Sequence, residues 1–356
     1  MQRSPFAIAL VLAALTSGCS AGTSAVTPPG SIAASSTALP HVRSKNSCQR
    51  PGPNLYVANW DPAEYEAAVV VYKGGYDQEL RVMPNVFYQP SGMAFDQIGN
   101  LYVSDQEGPT VTEIQAGGTK VLRTITDGVA HPQAVAFDCS GNLYVANASN
   151  KVSDITVYAR GSSSVSRTIA DGIAYPVAML FDASGNLYVA NYRGSVTVYP
   201  PGSGSPSLTL AASSPQALAL DGSGNLYVAN AWGNTVAVYD AKTGTLERTI
   251  SQGIDNPYSI AIDSSKNVWV ANFGNYYQRG SVTEYAAGTT TLKRTIQASI
   301  YSPDSLTFGP DGYLYVADWF GFSYYGGVTV YDPKRKGVVR KILQDTIGPV
   351  ALKFGP

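Results

Sequence analysis

The sequence predicts an all-β fold, a seven-bladed β-propeller of four-stranded blades, and three observations predict it. The motif Asn-Leu-Tyr-Val-Ala-Asn comes round seven times. It starts at Asn54, Asn100, Asn142, Asn186, Asn225, Asn267 (as Asn-Val-Trp-Val-Ala-Asn) and Tyr313 (as Tyr-Leu-Tyr-Val-Ala-Asp). Successive starts lie 46, 42, 44, 39, 42 and 46 residues apart, a period that suits four short strands per repeat. Within each period, β-branched and aromatic runs are bounded by Gly, Pro, Asn or Ser, as strands are. Propellers carry many activities, so the periodicity reports architecture rather than chemistry.

One repeat shows the elements in order. Residues 132–138 (Pro-Gln-Ala-Val-Ala-Phe-Asp) read as inner strand a, 143–147 as b, 155–158 as c and 166–169 as d. The a–b turn recurs as Asp-x-x-Gly-Asn at Asp96, Asp138, Asp182 and Asp221. Gly supplies the left-handed residue of such a turn, and Asp braces it through the backbone. Strand a carries a small residue two places after its Pro: Gly92, Ala134, Ala178, Ala217, Ser259, Ser305 and Ala351. That fits crowding where inner strands converge. Large apolar residues follow at alternate positions, ending with Phe95, Phe137, Phe181, Leu220, Ile262, Phe308 and Phe354, and should pack on the next blade. The first element is a strand b at Leu55, and the last, at residues 349–355, is a strand a with no b after it. Joined, they complete one blade, so the C-terminus closes the ring and removes two sheet edges.

The segments before the propeller divide in two. Arg3 followed by ten apolar residues from Phe6 to Leu15 reads as an export signal, too short to span a bilayer as a mature helix. Small residues then precede Cys19, as in the bacterial lipobox, although Thr16 stands where Leu is usual. Residues 1–18 are therefore read as a signal peptide and Cys19 as the lipidated residue, with an ordinary secretory signal as the alternative. The resemblance implies a membrane-anchored lipoprotein, sorted to the outer membrane or cell surface. Residues 19–50, rich in Ser, Ala, Thr, Pro and Gly, read as a flexible tether, and 51–356 as the propeller. Export permits a disulfide. Cys48 lies just before the first strand and Cys139 in an a–b turn, so a Cys48–Cys139 bridge is one reading and two free thiols the other.

The pattern Pro-x-x-x-Ala-Phe-Asp followed by Gly-Asn-Leu-Tyr-Val-Ala-Asn resembles the NHL-repeat family over residues 54–356. That resemblance implies a propeller but no single activity, since the wider group includes scaffolds, surface sensors and a few enzymes. With a net charge of −1 and 14% charged residues, against about 25% on average, no basic surface for nucleic acid is expected. Two histidines, one of them His41 in the tether, exclude a His-rich zinc site by count. No cofactor or metal is expected. His131, in a d–a loop, is the weak catalytic candidate, implied by the single-His pattern of streptogramin-lyase-like propellers. Asn59, Asp105, Asn147, Asn191, Asn230, Asn272 and Asp318 end strand b in every repeat. They read as caps of the b–c turn rather than as a metal ring. Asp304 is the one acid directly after a strand-a Pro.

Function in repeat proteins gathers where the repeat is broken. The b–c loops at 60–68, 273–280 and 319–326 are long, and ring closure makes their blades adjacent. They carry Trp60, Tyr65, Phe273, Tyr276, Tyr277, Trp319, Phe320, Phe322, Tyr324 and Tyr325, with Phe87 and Tyr88 in a neighbouring d–a loop. Asp61, Glu64, Glu66 and Arg279 are the polar groups beside them. Tyr and Trp bury large areas at small entropic cost, so the sector reads either as a platform for a protein or glycan, or as rings that pack on one another. The chain is therefore read as a non-catalytic binding or scaffold module, with a lyase or lactonase acting at the channel top as the alternative.

Overall fold

The computed structural model describes residues 53–61, 66–83, 86–274, 279–319, 326–335, 337–342 and 348–356. The signal, the tether, Cys19 and Cys48 lie outside these residues, as do Tyr65, Tyr276, Tyr277, Phe320, Phe322, Tyr324 and Tyr325. The described residues form twenty-eight strands, from β1 (Asn54–Asp61) to β28 (Pro349–Gly355), and one short 3-10 turn at Lys73–Gly75. The strands make seven antiparallel sheets of four, the seven-bladed propeller expected from the repeat. Blade 1 has the order β28, β1, β2 (Glu66–Tyr72), β3 (Glu79–Val82). Blades 2 to 7 follow in chain order, their inner strands starting at Pro90, Pro132, Pro176, Pro215, Pro257 and Pro303. Strands are lettered a to d from the inside outwards.

The a–b turns form as their sequence dictates. Gly99, Gly141, Gly185 and Gly224 adopt φ of 93°, 83°, 83° and 92°. In each turn the Asp carboxylate accepts two backbone N–H bonds, as Asp138 does from Ser140 (2.9 Å) and Asn142 (2.8 Å). The Asn side chain then donates to the other carboxylate oxygen, as Asn142 does at 2.8 Å. The turn therefore satisfies its own polar groups and holds strand register.

Blade faces are buried between blades. Strand-b aromatics meet the strand-a phenylalanine of the following blade edge-on: Tyr56 with Phe95 at 4.9 Å, Tyr102 with Phe137 at 4.8 Å, and Tyr144 with Phe181 at 5.0 Å. Trp269 meets Phe308 at 5.9 Å and Tyr315 meets Phe354 at 4.9 Å. Each Phe thus packs on the preceding blade, not on the next one as the sequence reading had it. Period-2 alternation says that a face is covered but not by which neighbour. A second tie runs the same way: the Tyr199, Tyr239 and Tyr285 hydroxyls each donate at 2.6 Å to a carbonyl at or just after the end of strand d of the preceding blade.

The C-terminal strand closes the ring. β28 pairs with β1 from Asn54↔Gly355 to Asn59↔Pro349. The Tyr56 hydroxyl donates to the Pro356 carbonyl at 2.6 Å, and a Cβ added to Gly355 would fall 2.1 Å from the Phe95 ring of blade 2. Deleting residues 348–356 should therefore expose the faces of blades 7 and 2 and remove cooperative unfolding at the native temperature. A melting curve for the deletion variant superimposing on that of the parent chain would refute closure by this strand.

Candidate functional site

Two repeated devices build the upper rim, where b–c and d–a loops meet. In all seven blades the residue after the terminal Asn or Asp of strand b donates its backbone N–H to the residue before the strand-a Pro. The donors are Trp60, Gln106, Ala148, Tyr192, Ala231, Phe273 and Trp319, and the acceptors are Gly348, Gln89, His131, Tyr175, Ser214, Asn256 and Ser302, at 2.9 to 3.1 Å. This clamp fixes seven equivalent positions around the rim. Four of them are aromatic: Trp60, Tyr192, Phe273 and Trp319.

The second device is the Asn/Asp ring. It braces chiefly the d–a loop, whereas the sequence reading put it on the b–c turn. Asn147, Asn191, Asn230 and Asn272 accept from the backbone N–H of Ala130, Ala174, Ser213 and Asp255 at 3.0 to 3.2 Å. An amide has a single acceptor oxygen, and its Nδ2 donates instead, as Asn191 does to Thr197 at 3.0 Å. In the five Asn blades the residue before the Pro is left-handed: His131, Tyr175, Ser214, Asn256 and Gly348, with φ between 49° and 62°. The two Asp blades differ. Asp105 accepts from both Tyr88 (2.8 Å) and Gln89 (2.7 Å), and Asp318 from both Tyr301 (2.8 Å) and Ser302 (2.6 Å). Two carboxylate oxygens draw in two N–H groups, and Gln89 and Ser302 keep ordinary backbone angles.

On this frame the expected aromatic sector takes shape from its described members. Trp60 and Trp319 stack with centroids 6.1 Å apart at 19°. Trp319 meets Phe273 at 6.3 Å, and Phe273 stacks on Tyr258 at 4.5 Å and 20°. The four rings form a track across blades 1, 7 and 6 that then turns inward. Trp60, Phe273 and Trp319 are half-buried. Arg279 lies over the Tyr301 ring at 4.3 Å. Tyr88 is 70% exposed, whereas Phe87 is buried in the core beside blade 1. Sequence reasoning missed a second aromatic group: Tyr192 contacts Tyr175 at 6.0 Å and Trp232 at 5.7 Å, and Trp232 is 73% exposed. The signal was the clamp position itself, which even the short loops fill.

The inward end of the track is polar. Register shifts at the residue after the strand-a Pro in each blade, a bulge that re-aims Gln133, Tyr258 and Asp304 among others. Asp304 is 4% exposed, and its Oδ1 and the Oε1 of Gln133 have no hydrogen-bond partner among the described residues. Burial raises the Asp304 carboxyl well above its ordinary range. Burial, then the charge of Asp304, raises the Tyr258 phenol.

His131 lies in the clamp, half-buried, with φ 53°. Its carbonyl accepts from Ala148 and Gln133, and its ring makes no hydrogen bond with a described residue. Among the described residues no acid hydrogen-bonds the ring to orient it as a base. Among the described residues no group of three His, Cys, Asp or Glu side chains is placed to hold a metal. Cys139 is disulfide-bonded; its expected partner, Cys48, lies outside the described residues. No protein-family model matches the chain, and no curated protein matches it.

Burial also pushes the Asp318 carboxyl up, to about 6, against the two backbone N–H bonds that lower it. A carboxyl raised in the folded state binds its proton more tightly there than in the unfolded chain. Its contribution is therefore fully present at low pH and is lost as pH rises from about 4 to about 6, on the order of 3 kcal/mol. Asp318→Asn should flatten that part of the pH profile, because an amide accepts the equivalent loop N–H in four blades. Chemical unfolding of both proteins at pH 4 and pH 7 checks this; parallel pH profiles would contradict it.

Proposed function

We propose that the chain is an exported, membrane-anchored propeller of NHL-like type. In this reading it acts as a non-catalytic binding or scaffold module for a protein or glycan of the cell envelope or exterior. The observation that carries the reading is the stacked track Trp60–Trp319–Phe273–Tyr258, half-buried at its rim end, in the sector where the long loops gather. Flat rings in a row offer faces to a sugar ring or to apolar side chains of a partner. The signal at 1–18, lipidation at Cys19, the tether at 19–50 and the Cys48–Cys139 bridge belong to the same proposal. So does placement at the outer membrane or cell surface, with the lipid as the only membrane contact. Tyr65, Tyr276, Tyr277, Phe320, Tyr324 and Tyr325 extend the platform in it.

A second reading rests on Asp304. A buried carboxyl whose pKa burial raises, with its Oδ1 without a partner among the described residues, is the kind of group that a lyase or lactonase uses as an acid. It has no orienting partner among the described residues, so the binding reading is preferred.

Capture from envelope extract and from a panel of polysaccharides separates the two. The native chain should retain a partner that the Trp60→Ala/Trp319→Ala variant loses by at least about tenfold, as expected when stacked aromatic anchors are removed. Equal capture by both folded proteins would sink the aromatic platform. Turnover lost in Asp304→Asn would favour the enzyme.

A further inference from the structure

The lower face repeats an arginine. In six blades the strand-d residue opposite the residue just before the strand-c Tyr (Ile114 in blade 2) is Arg: Arg81, Arg123, Arg167, Arg248, Arg294 and Arg340. Each lies against the strand-b aromatic of its own blade. Arg81, Arg123, Arg167 and Arg248 donate to a tyrosine hydroxyl at 3.2, 2.9, 2.9 and 3.1 Å. Arg340 does the same to Tyr315, and Arg294 lies over Trp269 at 4.7 Å. Several also reach into the c–d loop of the following blade, as Arg167 does to the carbonyls of Gly202 and Ser203 at 3.0 Å. The guanidinium thus narrows the lower groove between two blades, leaving about 320 Å³ beside Arg123 and Phe137.

Blade 4 has Leu208 at this position, paired with Val198. Its neighbour, blade 5, has Leu220 where five other blades have Phe. The interface between blades 5 and 6 also lacks the Phe, having Ile262, but keeps Arg248. The interface between blades 4 and 5 lacks both fillers, and there the structure opens a cleft of about 670 Å³. Phe181, Val198, Leu208 and Leu220 form its apolar wall, and Tyr188 lies at its base. Asp182, Asp221 and Asp240 line it against the single Lys242, three carboxylates to one ammonium.

Tyr188 is 2% exposed. Its hydroxyl lies 3.1 Å from the Ala241 carbonyl and 3.3 Å from Asp182 Oδ2, both of them acceptors. No donor among the described residues reaches the hydroxyl oxygen, whereas an arginine does so in every other blade with a Tyr there. Burial and then Asp182 raise this phenol, with no cation to offset them.

We propose that the cleft between blades 4 and 5 binds a guanidinium group of a ligand or partner, in the slot that the other blades fill with their own arginine. The planar fork donates to the Tyr188 hydroxyl and the loop carbonyls of blade 5, its stem lies on Leu208 and Leu220, and the carboxylates balance its charge. The site is on the face opposite the aromatic rim and is independent of it.

Isothermal titration of the full-length chain tests this with free L-arginine, with acetyl-Gly-Arg-Gly-amide, and with the same peptide carrying citrulline, the neutral isostere. Saturable binding of a guanidinium probe is expected, with the citrulline peptide weaker by about tenfold or more, the worth of one charge-assisted hydrogen bond. A tighter peptide than free arginine would identify a peptide segment as the source, and equal affinities a small guanidine. Leu208→Arg should restore the repeat, fold with an unchanged or higher Tm, and lose the binding. No saturable binding to the native chain, equal binding of citrulline, equal binding to Leu208→Arg, or failure of that variant to fold would each overturn the proposal.

Discussion

Neither face of a four-stranded blade can be covered by the blade itself. Among the described residues the core of each blade is buried against its neighbours, and this constraint decides the rest of the structure. It is met by a closed ring, and in this chain the ring is closed by the two ends sharing a blade. The chain enters on a second strand and leaves on a first strand for that reason, with β28 hydrogen-bonded along β1. The Tyr315–Phe354 contact between blade 7 and the closing strand, at 4.9 Å and 75°, repeats the Tyr144–Phe181 contact elsewhere in the ring, at 5.0 Å and 75°. The closing strand meets blade 7 as other inner strands meet the preceding blade.

Seven copies of one unit make the departures readable. The clamp between the strand-b exit and the residue before the strand-a Pro is present in every blade, so the side chains it places are free to differ. Where the chain puts Trp60, Trp319 and Phe273 on it, the rings form a track on the upper rim. Below, where Leu208 and Leu220 stand in for Arg and Phe, the inter-blade groove stays open and acidic. The two faces thus diverge from the repeat by opposite means, added side chains above and missing ones beneath.

The fold was legible because turn chemistry and strand period agree in every repeat. Asp-x-x-Gly-Asn specified a turn that folded as read, and the structure adds an Asp–Asn side-chain bond that the reading did not include. The Asn/Asp ring was legible as structural but not in its target. Which loop a side chain braces depends on how the d–a loop returns, and the choice between Asn and Asp becomes meaningful only beside the backbone angles of His131 or Ser302. The sector of Trp60, Phe273 and Trp319 was legible from loop length. Tyr192 and Trp232 were overlooked because their loops are short. The break at Leu208 was present in the sequence as six arginines and one leucine, but an arginine in an outer strand reads as solvated until the tyrosine it bonds is known.

The claim on which the account depends is that the closing C-terminal strand carries the same inter-blade packing as any other inner strand. The most direct measurement compares chemical unfolding of Phe354→Ala, on the closing strand, with that of Phe181→Ala, elsewhere in the ring; both side chains are 6% exposed. The account predicts losses of about 3 to 5 kcal/mol for each, the usual cost of removing a buried Phe, and similar to one another. A Phe354→Ala protein as stable as the parent, beside a Phe181→Ala protein that is not, would contradict it.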